Sequence, residues 1–558
     1  MAAIEYLMRV ERLWVLLAAG ALLLPGCTVK PKEVPSTDID DLAYKDHVRV
    51  LASDDFQGRK PGTPGEDKTV AYISEQFRKL GLKPGNGKSY VQEVPLVQIA
   101  GTEQSLSMAT PTGSRNLING KDVVIWSTRA LPQVQLKSSD VVFVGFGIVA
   151  PEYAWNDYAN LDVRGKTVIV LANDPGYASK DPGVFKANGM TDYGRWAYKI
   201  EEAARQGAGG VLLVHDPQAT GYGWSVVQST WGGAQLTPPA APAADGNAGP
   251  AIEGWLQKEA ARALFAQAGV DFDRTAVAAA IPGFKAVPLG LKADAHIKNS
   301  IRNFSSANVI GVLPGRKSEY VLYMAHWDGL GTDPSLSGHN IYNGAVDNAT
   351  GVAGLLVMAQ SFVRTKPVAD RSIVFLATTA AEPRLLGAQY YVDNPVFPLR
   401  QTAAVFNLDT LLIGGRSRDV SIVGFGNTDL EDTARSQALL EGRETRAEPY
   451  PHLGLYLRSD SYSFARRGIP VLYLQLGIDS GARGPAWGRA QLDDYYAHRY
   501  AQPSDIYSPD WDVYGAAIDL TLDYRVGEQV AASRRFPRWY PGSEFRVSHP
   551  HARGAPTD

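Results

Sequence analysis

At 558 residues the chain is too long for one ordinary hydrophobic core, so it must divide into two domains or carry a large insertion. Its 45% hydrophobic and 20% charged residues are those of a soluble globular protein. The balance of 55 basic against 58 acidic residues, net -3, excludes the basic footprint that nucleic-acid binding requires, and a single cysteine excludes intrachain disulfides and multi-thiolate zinc sites.

At the N-terminus, Arg9 and Arg12 precede the apolar run LWVLLAAGALLL, which stops at PGC. The run is short for a bilayer span and fits a signal-peptide core over 1–27. The stretch LLLPGC resembles a bacterial lipoprotein box, in which Cys27 becomes the lipidated N-terminus; Pro25 departs from the usual small residue there. A plain signal sequence ending in a buried cysteine is the alternative, and the polar tether that follows, 28–39, favours the lipoprotein. By the same resemblance, Thr28 after the cysteine implies a bacterial cell-envelope protein, lipid-anchored in the outer membrane and facing the periplasm.

From 40 to 137 the chain reads as the first part of the main domain. The segment DKTVAYISEQFRKLGL has helical apolar spacing up to Gly81, and a strand-rich stretch follows. From Val141, VVFVGFGIV and KTVIVLAND read as buried strands, KIEEAARQGAGGVLLVHD as helix, turn and strand, and TPPAAPAADGNAGP as a loop. The block 138–284 resembles the protease-associated domain, a small β-rich module with a helix that is often inserted in exopeptidases. Over 285–535 strands alternate with helices: EYVLYMAH, GVAGLLVMAQSFV, SIVFLATT, AAVFNLD and IPVLYLQLG. Several strands are almost wholly apolar, which predicts an α/β fold with a mixed, largely parallel central sheet covered by helices on both faces. Residues 536–558 form a C-terminal tail.

Ligands of such sheets bind at the carboxyl ends of strands. Three strands there run into possible metal ligands: His326 after EYVLYMA, Glu382 after SIVFLATTAA and Asp409 after AAVFNL. A fourth, Asp347, lies in YNGAVDNATG just before a helix. Taken singly, such an aspartate is more often an N-cap and such a glutamate a solvated strand end. Several carboxylates at one sheet edge are costly unless paired or bound to a cation, and imidazole with carboxylates suits catalytic zinc.

The segments AHWDGLG, YNGAVDNATGVA, LLGAQYY, FNLDT, LRSDSYSF and QPSDIY occur in the order found in co-catalytic two-zinc aminopeptidases, and LASDDFQGRKPGTPGEDKTVAYISEQFRKLGLKPG is similar to that family's N-terminal segment. The resemblance implies a zinc-exopeptidase fold, in which His326 and Asp409 hold one zinc, Asp347 bridges two, and Glu382 belongs to the second. It gives Asp328 the role of orienting the imidazole. Peptides or protein N-termini would enter the cleft, and the membrane would be met only through the lipid anchor.

Two departures fall on the chemistry. The family shows paired glutamates before LLG, the first a general base; here that position is Ala381, whose methyl group accepts no proton. The family's histidine before the PSD segment, the fifth ligand position, is Ala501. One zinc at His326, Asp347 and Asp409 is therefore expected, with the second site short of ligands. Ser461 stands where histidine is usual, and His498 and His339 are the candidates to compensate. The sequence leaves three readings: an envelope-anchored zinc aminopeptidase-like protein with weak or lost hydrolysis, a non-catalytic peptide- or partner-binding protein on the same scaffold, and a single-zinc cyclase or acyl transferase.

Overall fold

The computed structural model describes residues 39–110, 113–181, 183–239, 249–365 and 369–546. The signal segment with Cys27, nearly all of the tether, and the tail beyond 546 lie outside the described residues.

Helix α1, Asp41–Leu51, starts where Asp40 accepts the Ala43 N–H at 3.0 Å, and buries Tyr44, Val48 and Leu51 at helical spacing. Helix α2, Pro64–Lys79, begins on a proline whose missing N–H costs nothing in a first turn. Strand β1, Val91–Thr110, later pairs antiparallel with the 27-residue strand β7, Val287–Leu313, along most of its length. Between these two arms lie β2 (Val123–Trp126), β3 (Gln133–Phe143), β4 (Thr167–Leu171), α3 (Trp196–Arg205), β5 (Gly210–His215), α4 (Trp224–Trp231) and β6 (Ile252–Gln257).

Strands β3 to β6 run parallel in sequence order. Their alternate residues feed two separate cores. Phe143, Ile169, Leu212 and Leu256 pack with Leu264 and Phe265 on one face; Val142, Val168, Leu213 and Trp255 pack with Ile200, Val227 and Trp231 on the other. The segment expected as a β-rich module with one helix is thus itself a helix-flanked parallel sheet. Its first core reaches back to Leu106 and forward to Ile297, beyond the expected bounds of 138 and 284, because the arms β1 and β7 supply part of the packing.

After β7 come β8 (Tyr320–His326), α5 (Thr350–Thr365), β9 (Ser372–Thr378), α6 (Leu386–Asp393), β10 (Thr402–Asn407), β11 (Asp419–Ile422), β12 (Glu444–Ala447), β13 (Val471–Leu476), α7 (Gly484–His498) and α8 (Tyr514–Ala532). One sheet runs through both halves in the order β12-β11-β13-β10-β8-β9-β7-β3-β4-β5-β6-β2, mixed but mostly parallel. Around β8 the faces separate by residue parity. Val321, Tyr323 and Ala325 join a core with α1, α5 and α8, whereas Leu322 and Met324 join one with Tyr391, Val392 and Phe464. The expected α/β architecture with helices on both faces is the one observed. Because β8, β9 and β10 are adjacent and parallel, their carboxyl ends open at one edge.

Candidate metal centre

His326 is the last residue of β8 and is 5% exposed. Its Nε2 lies 3.2 Å from Asp347 Oδ1 and 3.6 Å from Asp409 Oδ1. One donor atom from each of His326, Asp347 and Asp409 lies within 4.8 Å of the other two. Two ligands about 2.1 Å from one tetrahedral ion stand about 3.4 Å apart, which the two separations from His326 Nε2 bracket. On the other side of the ring, Nδ1 donates to the Asp328 carbonyl oxygen at 3.2 Å and faces Asp328 Oδ1 at 3.7 Å. This contact leaves Nε2 as the nitrogen that faces Asp347 and Asp409, the arrangement in which a neighbouring acceptor fixes the tautomer of an imidazole.

Asp347 sits between the left-handed Gly344 and α5, and its segment is held by a buried carboxylate. Asp505 accepts the N–H groups of Val346 at 3.0 Å and Asp347 at 3.0 Å. Asn348 then ties the loops together: its Nδ2 donates to Leu408 O at 3.1 Å, and its Oδ1 accepts from Thr410 N at 3.1 Å and Gly351 N at 3.0 Å. Asp409 accepts the Thr410 hydroxyl at 3.0 Å. Burial opposes its charge, but hydrogen bonding to His326 and the imidazolium charge prevail and lower its pKa. His326 is raised well above the ordinary imidazole range, burial again opposing and the carboxylates of Asp328, Asp347 and Asp409 prevailing.

Glu382 lies outside the three-residue group but lines the same cavity, of about 230 Å³. Burial first, and the negative charge of Asp347 second, push its pKa up to about 8. Its backbone is fixed by Asp328, whose carboxylate accepts the Ala381 N–H at 3.0 Å and the Glu382 N–H at 3.3 Å. Ala381 also lines the cavity, so the methyl group stands at the wall where a base is expected. Ala501 is not among the lining residues; it takes a left-handed φ of 52°, packs against the aromatic core of the inserted segment, and its carbonyl accepts the Ser229 hydroxyl at 3.0 Å. His498 has a 73% exposed side chain paired with Asp494, and His339 bonds Asn343 Oδ1 at 2.7 Å; the structure brings neither to the cluster. Ser461 is buried against Ser459, hydroxyl to hydroxyl at 3.0 Å.

Several contributors escaped sequence reasoning. Arg59, fully buried, donates to the carbonyls of Leu51, Trp327, Asn343 and Gly344, and so braces the loops after His326 and before Asp347 from the N-terminal segment. Burial lowers its pKa to about 10. Asp460, next to Ser461, accepts the Thr378 hydroxyl and is pushed up to about 7 by burial. Arg458 lines the cavity with its guanidinium between the rings of Tyr222 and Tyr500, 5.1 and 5.8 Å from their centres, and donates to the Tyr500 hydroxyl at 2.8 Å. The inserted segment supplies Arg195, Trp196 and Trp231 to the same cavity. It also grips the loop of Glu382: Arg384 Nη2 donates to buried Glu253 at 2.7 Å and stacks over Trp196 at 5.2 Å.

Residues 308–524 match the profile of Peptidase family M28. Aminopeptidase YwaD of Bacillus subtilis (strain 168) is 28% identical over 198 residues; the matched stretch is 34% of this chain and 38% of that protein's length. Among solved structures, an aminopeptidase from Aneurinibacillus sp. strain AM-1 superposes with a TM-score of 0.49 at 18% identity, covering 92% of this chain and 97% of that one. A peptidase M28 precursor from Shewanella amazonensis SB2B gives 0.47 at 17%, covering 90% and 95%. His326, Asp347, Glu382 and Asp409 all fall within the stretch that is similar to Peptidase family M28.

Proposed function

We propose that this chain is a zinc aminopeptidase-like protein that holds one zinc at His326, Asp347 and Asp409, receives peptides or protein N-termini in the adjoining cavity, and hydrolyses them weakly or not at all. The observation that carries this reading is the pairing of a complete three-donor cluster with a methyl group at Ala381, on the wall of one cavity. A bound zinc would polarise the scissile carbonyl and lower the pKa of water. The chain's residues supply the rest: Asp328 orients His326 and fixes the loop of Glu382, Asp505 and Asn348 position Asp347, and the inserted segment walls the cleft from solvent. Glu382 and Asp460 are further carboxylates that line the cavity, and neither occupies the position that the family resemblance gives to the base, which is Ala381. Loss of a positioned base lowers rate by about 10²–10⁴-fold.

The non-catalytic binding reading shares these observations and differs only in turnover. Metal analysis and hydrolysis of aminoacyl chromogenic substrates separate them. We expect one zinc per chain, slow or absent turnover, and a rise in turnover for Ala381→Glu; Ala501→His, outside the cavity lining, should add little. Two tightly bound zincs with ordinary turnover would overturn the proposal; turnover absent from Ala381→Glu would leave the binding reading in possession of the site. The apolar run and LLLPGC support attachment through Cys27 to a bacterial envelope membrane, testable by metabolic labelling with a lipid precursor and by Cys27→Ala. The placement of the 138–284 segment over the cleft supports its reading as a protease-associated insertion that restricts entry.

A further inference from the structure

A second cleft among the described residues is larger than the one with the metal cluster. It measures about 980 Å³, within the range of small-molecule sites, and lies on the opposite side of α7. Trp487, Leu492 and Tyr495 of α7 line it, whereas Tyr496, with Tyr500 just beyond the helix, lines the metal cavity. The other walls are the loops after β10 and β13, the turn before β12 and residues 510–514.

Five arginines line this cleft, Arg416, Arg418, Arg443, Arg483 and Arg499, against two carboxylates, Asp510 and Asp512. Three of the arginines have acidic partners elsewhere: Arg418 with Asp479 at 3.0 Å, Arg499 with Asp494 at 3.2 Å, and Arg443 with Asp519 and, at 3.6 Å, Glu441. The remaining two have no carboxylate partner among the described residues. Arg416 donates only to the Glu441 carbonyl at 3.1 Å, and Arg483 stacks on Trp487 at 4.7 Å. In addition, Arg443, with a 1% exposed side chain, leaves Nε without a hydrogen-bond acceptor while its Nη1 faces Glu441 Oε2 at 3.6 Å, and Arg499 leaves Nε without one. Buried guanidinium donors without acceptors are costly, and an oxyanion relieves that cost with charge-assisted bonds.

We infer that this cleft binds a small multivalent oxyanion, held by Arg416 and Arg483 at the mouth and by the open Nε of Arg443 deeper in. The inference is independent of the metal centre. Titration calorimetry of the full chain with sodium sulfate, sodium phosphate and sodium citrate, each against sodium chloride at equal ionic strength, tests it. Saturable binding of at least one multivalent anion is expected, with sulfate and phosphate against citrate telling a mineral oxyanion from a polycarboxylate. Arg416→Ala with Arg483→Ala should weaken binding at least 10-fold; both side chains are exposed, so the fold survives, which circular dichroism checks. His326→Ala should bind as wild type. The inference is overturned if no anion binds beyond chloride, if the double variant binds unchanged, or if His326→Ala abolishes binding.

Discussion

Glu253→Ala strikes the contact that joins the inserted segment to the loop of Glu382. The carboxylate is 2% exposed and accepts three donors: Arg384 Nη2 at 2.7 Å, Trp126 Nε1 at 2.8 Å and Thr128 Oγ1 at 2.5 Å. Its removal leaves a guanidinium with a 22% exposed side chain without its counter-charge, which costs about 3–5 kcal/mol. The indole and hydroxyl donors add about 1 kcal/mol, since water enters the space left by the carboxylate and satisfies part of them. The total, about 4–6 kcal/mol, is a large part of the 5–15 kcal/mol by which proteins typically hold their fold. Arg384→Met strands the opposite charge, so the two substitutions together should cost about 2–3 kcal/mol less than the sum of each alone. Urea unfolding followed by tryptophan fluorescence reads this cycle directly, as Trp126 and Trp196 flank the pair. A Glu253→Ala cost under about 1 kcal/mol, or additivity within about 0.5 kcal/mol, would refute the reasoning.

Asp328→Asn should lower zinc affinity about 10–100-fold with the fold retained, measured by competition with a chelating dye; unchanged affinity would show that the Asp328 contacts with His326 and the 381–382 backbone do not serve the metal. Glu448, buried and accepting the Gly424 N–H at 2.8 Å, is pushed up to about 7 by burial. A carboxyl raised on folding stabilises fully below its unfolded value of 4.5, and that contribution is lost as pH rises through 7. Glu448→Gln should therefore flatten the fall in stability between pH 5 and pH 8 and exceed wild type at pH 8 by about 2–3 kcal/mol; an unaltered pH profile would count against it. Gly387→Ala places a Cβ 2.2 Å from the Thr379 carbonyl oxygen and 2.8 Å from its nitrogen, both backbone atoms that cannot give way. A loss of about 1–3 kcal/mol is expected in thermal unfolding, and a neutral result would contradict the packing at the start of α6.

Much of this molecule was legible without coordinates because the relevant forces are local. Apolar runs of strand length and helical spacing, as in EYVLYMAH and GVAGLLVMAQSFV, dictate β8 and α5, and alternation of strands with helices dictates a largely parallel sheet. Once those strands are adjacent, the residues that follow them must share an edge, which is why His326, Glu382 and Asp409 could be placed together by position, with Asp347 added from its place just before a helix and their ligand roles taken from the family resemblance. What the chain order could not convey depends on contacts between distant segments. Arg59 reaches four carbonyls up to 285 positions away, Glu253 meets Arg384 across 131 residues, and Asp505 holds Asp347 across 158. Each is an ordinary charged residue in the sequence, and becomes a brace only when folding removes water and leaves it one set of partners. The same holds for the arginine-lined cleft behind α7, whose walls come from five separate loops and helices. It holds too for the extent of the inserted segment, whose first core borrows residues from the long arms β1 and β7. Local chemistry names the groups that can bind a metal; only tertiary packing decides which of them meet, and what holds them there.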